Sequence, residues 1–322
     1  MPLAVLPTPL VRAPRLAEAL GLASLLVKRD DLTGFAVAGN KARQLQLLLE
    51  QAQAEHADVL VTGGTAGSNF IQAAAAAAAF ADLRCVVVLA GPPVQSASHP
   101  NLAAAVSWGA EVRFTGDTDR ASVDRELPVV AAELAATGTT AYVCPRGGAS
   151  PLGALGYRLA MNELLSQLGG ETPVVVVATG AGGTLAGLVA GAVATGRSLR
   201  IVGASVSRPP REIHSRVLAL SRQVAALRGE PPPQADDVVI IDARGPGFGM
   251  ASPEGDLATA LALRKAGLLL DPVYTAKALA VLPTVASGRP ALFWHTGVLL
   301  DAVARFLSTA DAATDRTHAG PA

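Results

Sequence analysis

Short apolar runs rich in β-branched residues alternate with longer Ala- and Leu-rich stretches along most of this chain. Alternation of this kind indicates parallel sheets covered by helices on both faces. The apolar runs predict strands at 25–27, 58–61, 84–89, 111–114, 140–143, 173–178, 199–204, 238–241 and 291–295. The stretches between them predict helices at 41–54, 69–81, 99–108, 124–136, 153–168, 184–194, 212–227, 252–266 and 274–287.

The same pattern predicts an α/β protein with two domains. Residues 50–155 contain enough predicted strands for a small sheet of their own. Residues 1–49 together with 156–307 would form the larger domain around a second sheet. The polar tail at 308–322 has too few apolar residues to join a core, and we predict that it is disordered.

Composition limits the class of protein. Half of the 322 residues are hydrophobic and 16% are charged, with 26 basic against 26 acidic residues. No basic stripe with interleaved aromatic residues is present, which argues against a nucleic-acid partner. Cys85 and Cys144 lie in apolar runs, where we expect buried structural thiols. A proline-rich N-terminus without a positive segment, and the lack of a long apolar run, predict a soluble, cytoplasmic protein without a membrane partner.

Lysine is rare in this chain, and one lysine stands in an unusual place. Only four basic residues are lysines: Lys28, Lys41, Lys265 and Lys277. Lys41 follows Gly39 and Asn40 at the end of an apolar segment. Arginine cannot replace lysine where a neutral amine must form a Schiff base, because the guanidinium stays charged. The alternative is a surface lysine with an apolar stem, and this segment alone does not separate the two.

A glycine-rich turn at 61–70 leads into the predicted alanine-rich helix. In open parallel sheets, ligands bind beyond the carboxyl ends of the strands. The small residues of this turn leave backbone N–H groups free to bind an anion such as a substrate carboxylate. Ser68 and Asn69 at its end fit that role, although both are also ordinary helix N-cap residues.

A second glycine-rich turn follows the apolar strand at 173–178 and precedes a helix. Backbone amides of such a loop bind phosphate at a helix N-terminus. A dinucleotide fingerprint is disfavoured because Leu185 stands where it requires glycine, and no acidic residue ends the next strand. A P-loop is excluded because no Gly-Lys-Ser/Thr follows. A ligand with a single phosphate fits best.

A lysine after Gly-Asn, a Ser-Asn turn and a single-phosphate loop together suggest pyridoxal phosphate. The same segments resemble the D-cysteine desulfhydrase and 1-aminocyclopropane-1-carboxylate deaminase family, which are pyridoxal phosphate enzymes of the tryptophan synthase β-like fold (type II). The resemblance extends from residue 7 to 298. Its segments follow the order of the family: KRDDLTG…GNK at 28–41, TGG…SN at 62–69, GGASPLGALGY at 147–157, TGAGGTLAGL at 179–188, LLDPVYTAKAL at 269–279 and FWHTG at 293–297.

This resemblance implies roles for individual residues. Lys41 would form the Schiff base with the cofactor and move the α-proton of the substrate. Asn69 would hydrogen-bond the phenolic oxygen of the cofactor, and Ser68 would lie near the substrate carboxylate. Tyr274 would act as an acid/base or nucleophile, and Thr275 would contact the pyridine nitrogen. The phosphate would lie in the loop of Thr179, Gly180, Ala181, Gly182, Gly183 and Thr184.

The resemblance also implies an architecture and a reaction. It implies two open, twisted parallel-sheet domains with the active site in the cleft between them, and it favours a homodimer. Members that open the cyclopropane ring carry Glu and Leu where this chain has Thr275 and Thr296, and the hydroxyl pair is typical of the D-cysteine branch. The expected substrate is therefore a small β-substituted amino acid, cleaved by α,β-elimination.

Four positions depart from the family pattern, and at one of them Val298 follows Gly297 where the family has a second Gly. Phe70 stands where the family has His or Gln, and Phe248 stands where it has a second active-site Tyr. Gln44 replaces a lysine that helps to hold the phosphate. We predict a substrate pocket of Ser68, Phe70, Phe248 and Thr296, reshaped for a larger or less polar amino acid unless the changes are drift in a redundant paralogue.

Three functions remain open from the sequence. The first is α,β-elimination by a lyase resembling D-cysteine desulfhydrase. The second is β-replacement or ring-opening deamination with the same cofactor. The third is a non-catalytic protein that binds pyridoxal phosphate, a possibility raised by Gln44, Phe70 and Phe248.

Overall fold

The computed structural model of the protein describes residues 2–197, 199–298, 300 and 302–304. The tail at 308–322, for which we predict disorder, lies outside the described residues. The strands are β1 (Leu10–Arg12), β2 (Leu25–Arg29), β3 (Val59–Gly64), β4 (Arg84–Leu89), β5 (Glu111–Phe114), β6 (Ala141–Val143), β7 (Val174–Thr179), β8 (Ile201–Ser205), β9 (Val239–Asp242) and β10 (Ala291–His295). The helices are α1 (Pro14–Ala19), α2 (Lys41–Ala54), α3 (Asn69–Phe80), α4 (Pro100–Ser107), α5 (Ala121–Ala136), α6 (Pro151–Leu168), α7 (Gly183–Thr195), α8 (Pro210–Arg228), α9 (Pro253–Ala266), α10 (Thr275–Ala280) and α11 (Leu282–Ala286).

Two separate sheets organise the chain. The larger sheet has six strands in the order β1-β2-β10-β7-β8-β9, and the smaller has four in the order β5-β4-β3-β6. β1 runs antiparallel to β2, and the remaining adjacent pairs are parallel. Helices cover both sheets, which confirms the predicted α/β fold.

The residues of β3 and β7 are buried along their whole length, as expected for inner strands of parallel sheets. Apolar clusters pack on both faces of each sheet. The carboxyl ends of β3 and β7 lead into the two glycine-rich turns. Rigid, fully covered strands therefore hold the loops that we expect to bind ligands.

Three elements differ from the sequence prediction. β1 and α1 were not predicted, and β1 is an antiparallel edge strand with Val11 opposite Val27. β1 has only three residues, none of them buried, so it lacks the apolar pattern of a strand. The predicted helix at 274–287 is divided into α10 and α11. Pro283 lies in the first turn of α11, where a continued helix would lose a backbone hydrogen bond.

A buried network of charges fixes α2 against the larger sheet. Arg43, two residues after Lys41, donates hydrogen bonds to both carboxylate oxygens of Asp30, at 2.9 and 3.0 Å. Arg43 also bonds Glu163, which receives a further bond from Lys28. Burial alone would raise the pKa of Glu163, but the bonds from Arg43 and Lys28 outweigh it and lower this pKa to about 2. Removing one partner of such a buried pair typically costs about 3–5 kcal/mol, so the network holds the start of α2 in place.

No helix in the described ranges is long and apolar enough to cross a lipid bilayer. Cys85 and Cys144 are both buried, as predicted, and neither forms a disulfide. Burial raises the pKa of each thiol to about 12, so both remain protonated and inert at neutral pH.

Candidate active site

A cleft with about 740 Å³ of empty space lies between the two sheets, at the carboxyl ends of their inner strands. Loops from both sheets line this cleft. It therefore lies where ligands bind in open parallel sheets. Of the residues with predicted roles, the cleft is lined by Lys41, Ser68, Asn69, Phe70, Thr179, Gly180, Ala181, Gly182, Gly183, Thr184, Tyr274 and Thr296.

Lys41 is the first residue of α2, and its side chain lines the cleft. The turn before it packs tightly on the loop after β10. Gly39 has a φ of +53°, and a Cβ there would lie 2.4 Å from the carbonyl oxygen of Thr296, so only glycine fits. Asn40 donates its backbone N–H to the same carbonyl at 2.7 Å, and its side-chain amide donates to Thr184 at 2.9 Å. This turn therefore fixes Lys41 relative to the second glycine-rich loop.

The surroundings of Lys41 favour a neutral amine. No carboxylate in the described part of the chain forms an ion pair with Lys41, in contrast to Lys28 with Glu163. Burial lowers the pKa of Lys41 to about 8. An amine with this pKa is deprotonated far more often at neutral pH than an ordinary lysine, which is the condition for nucleophilic attack on a carbonyl.

The other three lysines have different environments. Lys28 is fully buried and donates to the carbonyl of Thr8 and to Gln167, both at 2.7 Å. Lys277 donates to the carbonyls of Arg244 and Gly247, at 2.6 and 2.9 Å. Lys265 is exposed on the last turn of α9. Among these residues only Lys41 lines the cleft, which favours the chemical interpretation of this lysine over the surface one.

The loop between β7 and α7 presents the N-terminus of a helix to the cleft. α7 begins at Gly183, so the first backbone N–H groups of the helix have no intrahelical acceptor. Gln44 is fully buried beside this loop, and a Cβ on Gly183 would lie 2.8 Å from its amide nitrogen. Both polar atoms of the Gln44 amide lack a hydrogen-bond partner in the described structure. A buried, unpaired amide beside a helix N-terminus fits a bound phosphate, which accepts hydrogen bonds from both.

Ser68 and Asn69 begin α3 at the opposite side of the cleft. Ser68 caps the helix and accepts the N–H of Phe70 at 3.3 Å. The side-chain amide of Asn69 donates to the carbonyl of Val37 at 3.0 Å and accepts from Gln72 at 2.9 Å. These bonds orient the Asn69 amide and connect α3 to the segment that precedes Lys41.

Tyr274 lies against the glycine loop, where a Cβ on Gly180 would be 3.0 Å from the tyrosine ring. Burial and the charge of Asp271 raise the pKa of Tyr274 to about 12. The phenol therefore keeps its proton throughout the neutral range. In this state Tyr274 is a proton donor.

Asp271 was missed by the sequence analysis, and it organises the start of α10. Its carboxylate accepts the backbone N–H groups of Val273, Tyr274 and Thr275, at 3.0, 2.7 and 3.1 Å. Asp271 also lines the cleft, and burial raises its pKa. An Asp followed by Pro just before a helix is typical of a capping residue, and this pattern was available in the sequence.

Two residues with predicted roles do not line the cleft. Thr275 is fully buried, and its hydroxyl donates to Asp271 at 2.6 Å. Phe248 lines an adjoining outer chamber, whereas Phe70 is buried beside the inner cleft. The single wall of Phe70 and Phe248 that we predicted is therefore divided between two chambers. Asn40 is a further cleft residue that the analysis did not include, although its place next to Lys41 was a usable indication.

Comparisons with known proteins identify the family of this chain. The family model described as "Pyridoxal-phosphate dependent enzyme" matches residues 1–297. The D-cysteine desulfhydrase of Klebsiella pneumoniae (strain 342) is 36% identical over 303 residues, which cover 90% of this chain and 91% of that protein. The D-cysteine desulfhydrase of Yersinia enterocolitica (serotype O:8 / biotype 1B) is 35% identical over 302 residues, with 90% and 91% covered.

Solved structures also resemble this chain in fold. The crystal structure of an ACC deaminase homologue has a TM-score of 0.85 and 34% identity, and covers 92% of this chain and 90% of that one. A fungal L-serine ammonia-lyase from Rhizomucor miehei has a TM-score of 0.64 at 15% identity, with 92% and 94% covered, and so supports the fold alone. These findings confirm the resemblance read from the sequence and the predicted cofactor. The chain belongs to the family of pyridoxal-phosphate dependent enzymes.

Proposed function

We propose that this enzyme cleaves a small β-substituted amino acid by α,β-elimination, releasing ammonia, a keto acid and the β-substituent. One observation carries the proposal: the amine of Lys41, the glycine loop and the phenol of Tyr274 line the same cleft. The relatives named as D-cysteine desulfhydrases support this reaction class.

We assign the phosphate end of the cofactor to residues 179–184 at the start of α7 and to the amide of Gln44. Pyridoxal phosphate, when bound, withdraws electrons from the α-carbon of an amino acid. Lys41 is the residue that we expect to hold the cofactor covalently, since its amine faces the cleft and has a lowered pKa. We expect the Asn69 amide, which Val37 and Gln72 orient, to hydrogen-bond the cofactor ring.

The remaining steps use groups of the chain itself. Ser68 and the N-terminus of α3 are expected to bind the substrate carboxylate, because free helix N–H groups favour anions. The neutral amine of Lys41 would then accept the α-proton. Tyr274 would donate its phenolic proton to the departing β-substituent, since its raised pKa keeps this proton available.

Product analysis tests the proposed reaction. The holoenzyme would be incubated with β-substituted alanines of both configurations, with and without an added thiol. Elimination gives ammonia and a keto acid in equal amounts whether or not the thiol is present. A new thioether amino acid in place of the keto acid would instead identify β-replacement, the alternative left open by the sequence.

We expect this enzyme to be inactive or very weak on 1-aminocyclopropane-1-carboxylate. Thr275 and Thr296 stand where ring-opening members of the resembled family carry Glu and Leu, and Thr275 forms hydrogen bonds with Asp271 at the start of α10. Release of 2-oxobutanoate and ammonia from the cyclopropane substrate would be compared with keto acid release from β-substituted alanines. Rapid 2-oxobutanoate release would contradict the assignment to the elimination branch.

Covalent attachment of the cofactor should become faster with rising pH and level off above about 8, the lowered pKa of Lys41. Only the neutral amine attacks, and at pH 7 roughly a tenth of such a lysine is neutral, against less than about 0.1% of an ordinary one. The rate would be followed by absorbance after adding pyridoxal phosphate to the apoprotein, with Lys41→Ala as the blank. A rate that keeps rising to the ordinary lysine pKa of 10.5 would contradict the lowered value.

We further propose that the enzyme is a cytoplasmic homodimer whose domains are 1–49 with 156–307, and 50–155. The two sheets support the domain division, since each has an apolar cluster formed by residues of its own proposed domain. Light scattering of the purified protein tests the dimer, and cell fractionation tests the location. Limited proteolysis near residues 50 and 155 tests the domain boundaries.

A further inference from the structure

A second chamber adjoins the cleft on the side of Tyr274. Both spaces share the residues that form the boundary between them: Ser68, Gly147, Gly180, Ala181 and Tyr274. The boundary is built from small residues and one aromatic ring, and a Cβ on Gly147 would lie 3.1 Å from that of Ala181. The outer chamber therefore directly adjoins the space beside Lys41 and Tyr274.

The outer chamber differs from the inner cleft in its charge. Lys41 is the sole basic residue among the described residues that line the inner cleft. No carboxylate lines the outer chamber in the described part of the chain, whereas four arginines do: Arg120, Arg146, Arg208 and Arg216.

Two of these arginines are compensated by acidic residues and two are not. Arg146 forms an ion pair with Asp124, and Arg208 forms one with Glu212. Within the ranges that the structure describes, neither Arg120 nor Arg216 has an ion-pair partner. The chamber therefore has two positive charges in excess.

Arg120 is held in place without a carboxylate. Its guanidinium lies 4.5 Å from the centroid of the Phe248 ring, which in turn meets Tyr274 edge to face at 6.2 Å between centroids. A cation over an aromatic face is stabilised by the ring while its N–H groups remain free for another acceptor. Packing against Phe248 therefore positions Arg120 in the outer chamber beside Tyr274.

Arg216 is oriented by the glycine loop itself. Its Nε–H donates to the carbonyl of Ala181 at 2.9 Å, and the other guanidinium N–H groups make no hydrogen bond in the described structure. Burial and the neighbouring positive charges of Arg208 and Arg146 lower the pKa of both Arg120 and Arg216. Neighbouring cations of this kind are stabilised when an anion binds between them.

We propose that the substrate is an amino acid whose side chain carries a second negative charge, as a carboxylate, sulfonate or phosphate, held by Arg120 and Arg216. This inference rests on the proposed function, because it places the α-carbon beside Lys41. The α-carboxylate already has Ser68 and the α3 N-terminus, and the cofactor phosphate has the α7 loop and Gln44. The arginines are left for a further anionic group.

Substrates with charged and neutral side chains test the inference. The holoenzyme would be given S-carboxymethylcysteine against S-carbamoylmethylcysteine, and O-phosphoserine and 3-sulfoalanine against O-acetylserine, each in both configurations. We expect kcat/KM to favour the charged member by at least about tenfold, as for a hydrogen bond to a charged group. This preference should weaken with added salt. Because the leaving groups differ among these substrates, S-carboxymethylcysteine against S-carbamoylmethylcysteine, with a thiolate leaving group in both, is the decisive pair.

The double variant Arg120→Gln, Arg216→Gln should lose about tenfold to a hundredfold in kcat/KM on the charged substrate and little on its neutral partner. Arg125→Gln is the matched control, since Arg125 lies on α5 outside the chamber and pairs with Asp117. Equal losses on both substrates would overturn the inference, because the arginines would then serve the α-carboxylate or the fold.

Binding without turnover separates this inference from the proposed reaction. Calorimetry would compare succinate with its monoamide on the holoenzyme and on the double variant. Tighter binding of the dianion, lost in the double variant, supports the anionic subsite even if no substrate reacts and the proposed elimination fails. Equal affinity for the dianion and the monoamide would overturn it.

Discussion

Replacing Lys41 with alanine is expected to abolish turnover and to remove the covalent attachment of the cofactor. Lys41 is the sole lysine among the cleft residues described, and burial lowers its pKa to about 8. Loss of a general base alone typically costs about 10²–10⁴-fold in rate, and loss of the covalent bond adds to it. Mass spectrometry after borohydride reduction should place a phosphopyridoxyl group on Lys41 of the wild-type enzyme.

Two further variants make the result specific. Lys41→Arg keeps a positive charge but cannot form the bond, so it should be as inactive as the alanine variant. Lys265→Ala removes an exposed lysine in the last turn of α9 that does not line the cleft, and it should retain full activity. A label on Lys28, Lys265 or Lys277, or a Lys41→Ala enzyme that still turns over substrate, would contradict the assignment.

The sheets could be predicted from the sequence because their inner strands carry continuous apolar runs. β3 and β7 are buried along their whole length, so the pattern that marks them is local. β1 is different, since its three residues become a strand only by pairing with β2. Pairing with a distant segment is a tertiary effect that local propensity does not contain.

The position of the site could also be predicted, because glycine-rich turns at the carboxyl ends of parallel strands meet at one edge of a sheet. Side-chain directions were harder to predict. Thr275 turns away from the cleft because Asp271 accepts both its N–H and its hydroxyl. The resemblance implies that Gln44 replaces a lysine, but only the structure shows that its amide has no partner among the described residues beside Gly183.

The outer chamber and its arginines could not be predicted from the sequence. Its arginines come from α8 and from the loops before α5, α6 and α8, which are far apart along the chain. With equal numbers of acidic and basic residues overall, no charge run marks it. From the sequence, Phe248 is interpreted as a position near the substrate that has lost a polar group. In the structure the Phe248 ring packs against the guanidinium of Arg120. This phenylalanine therefore supports Arg120 in the proposed recognition of an anion.

Replacing Tyr274 with phenylalanine is expected to lower kcat by about 10²–10⁴-fold while cofactor content and thermal stability stay close to wild type. The phenolic oxygen makes no hydrogen bond within the described residues, so folding does not depend on it. Its proton is held by a pKa of about 12, and transfer of this proton to the leaving group is the role we propose. Steady-state kinetics, bound cofactor and melting temperature would be measured on the same preparation.

Tyr157→Phe is the matched control, because Tyr157 is also buried but its hydroxyl donates to Asp30 at 2.6 Å in the network that fixes α2. Removing that hydroxyl leaves a buried carboxylate with one partner fewer, which typically costs about 1–3 kcal/mol of folding free energy. The two variants should therefore differ in their effects. Tyr157→Phe lowers the melting temperature and retains kcat, whereas Tyr274→Phe lowers kcat and retains the melting temperature. A Tyr274→Phe enzyme with full kcat on the best substrate would show that another group protonates the leaving group.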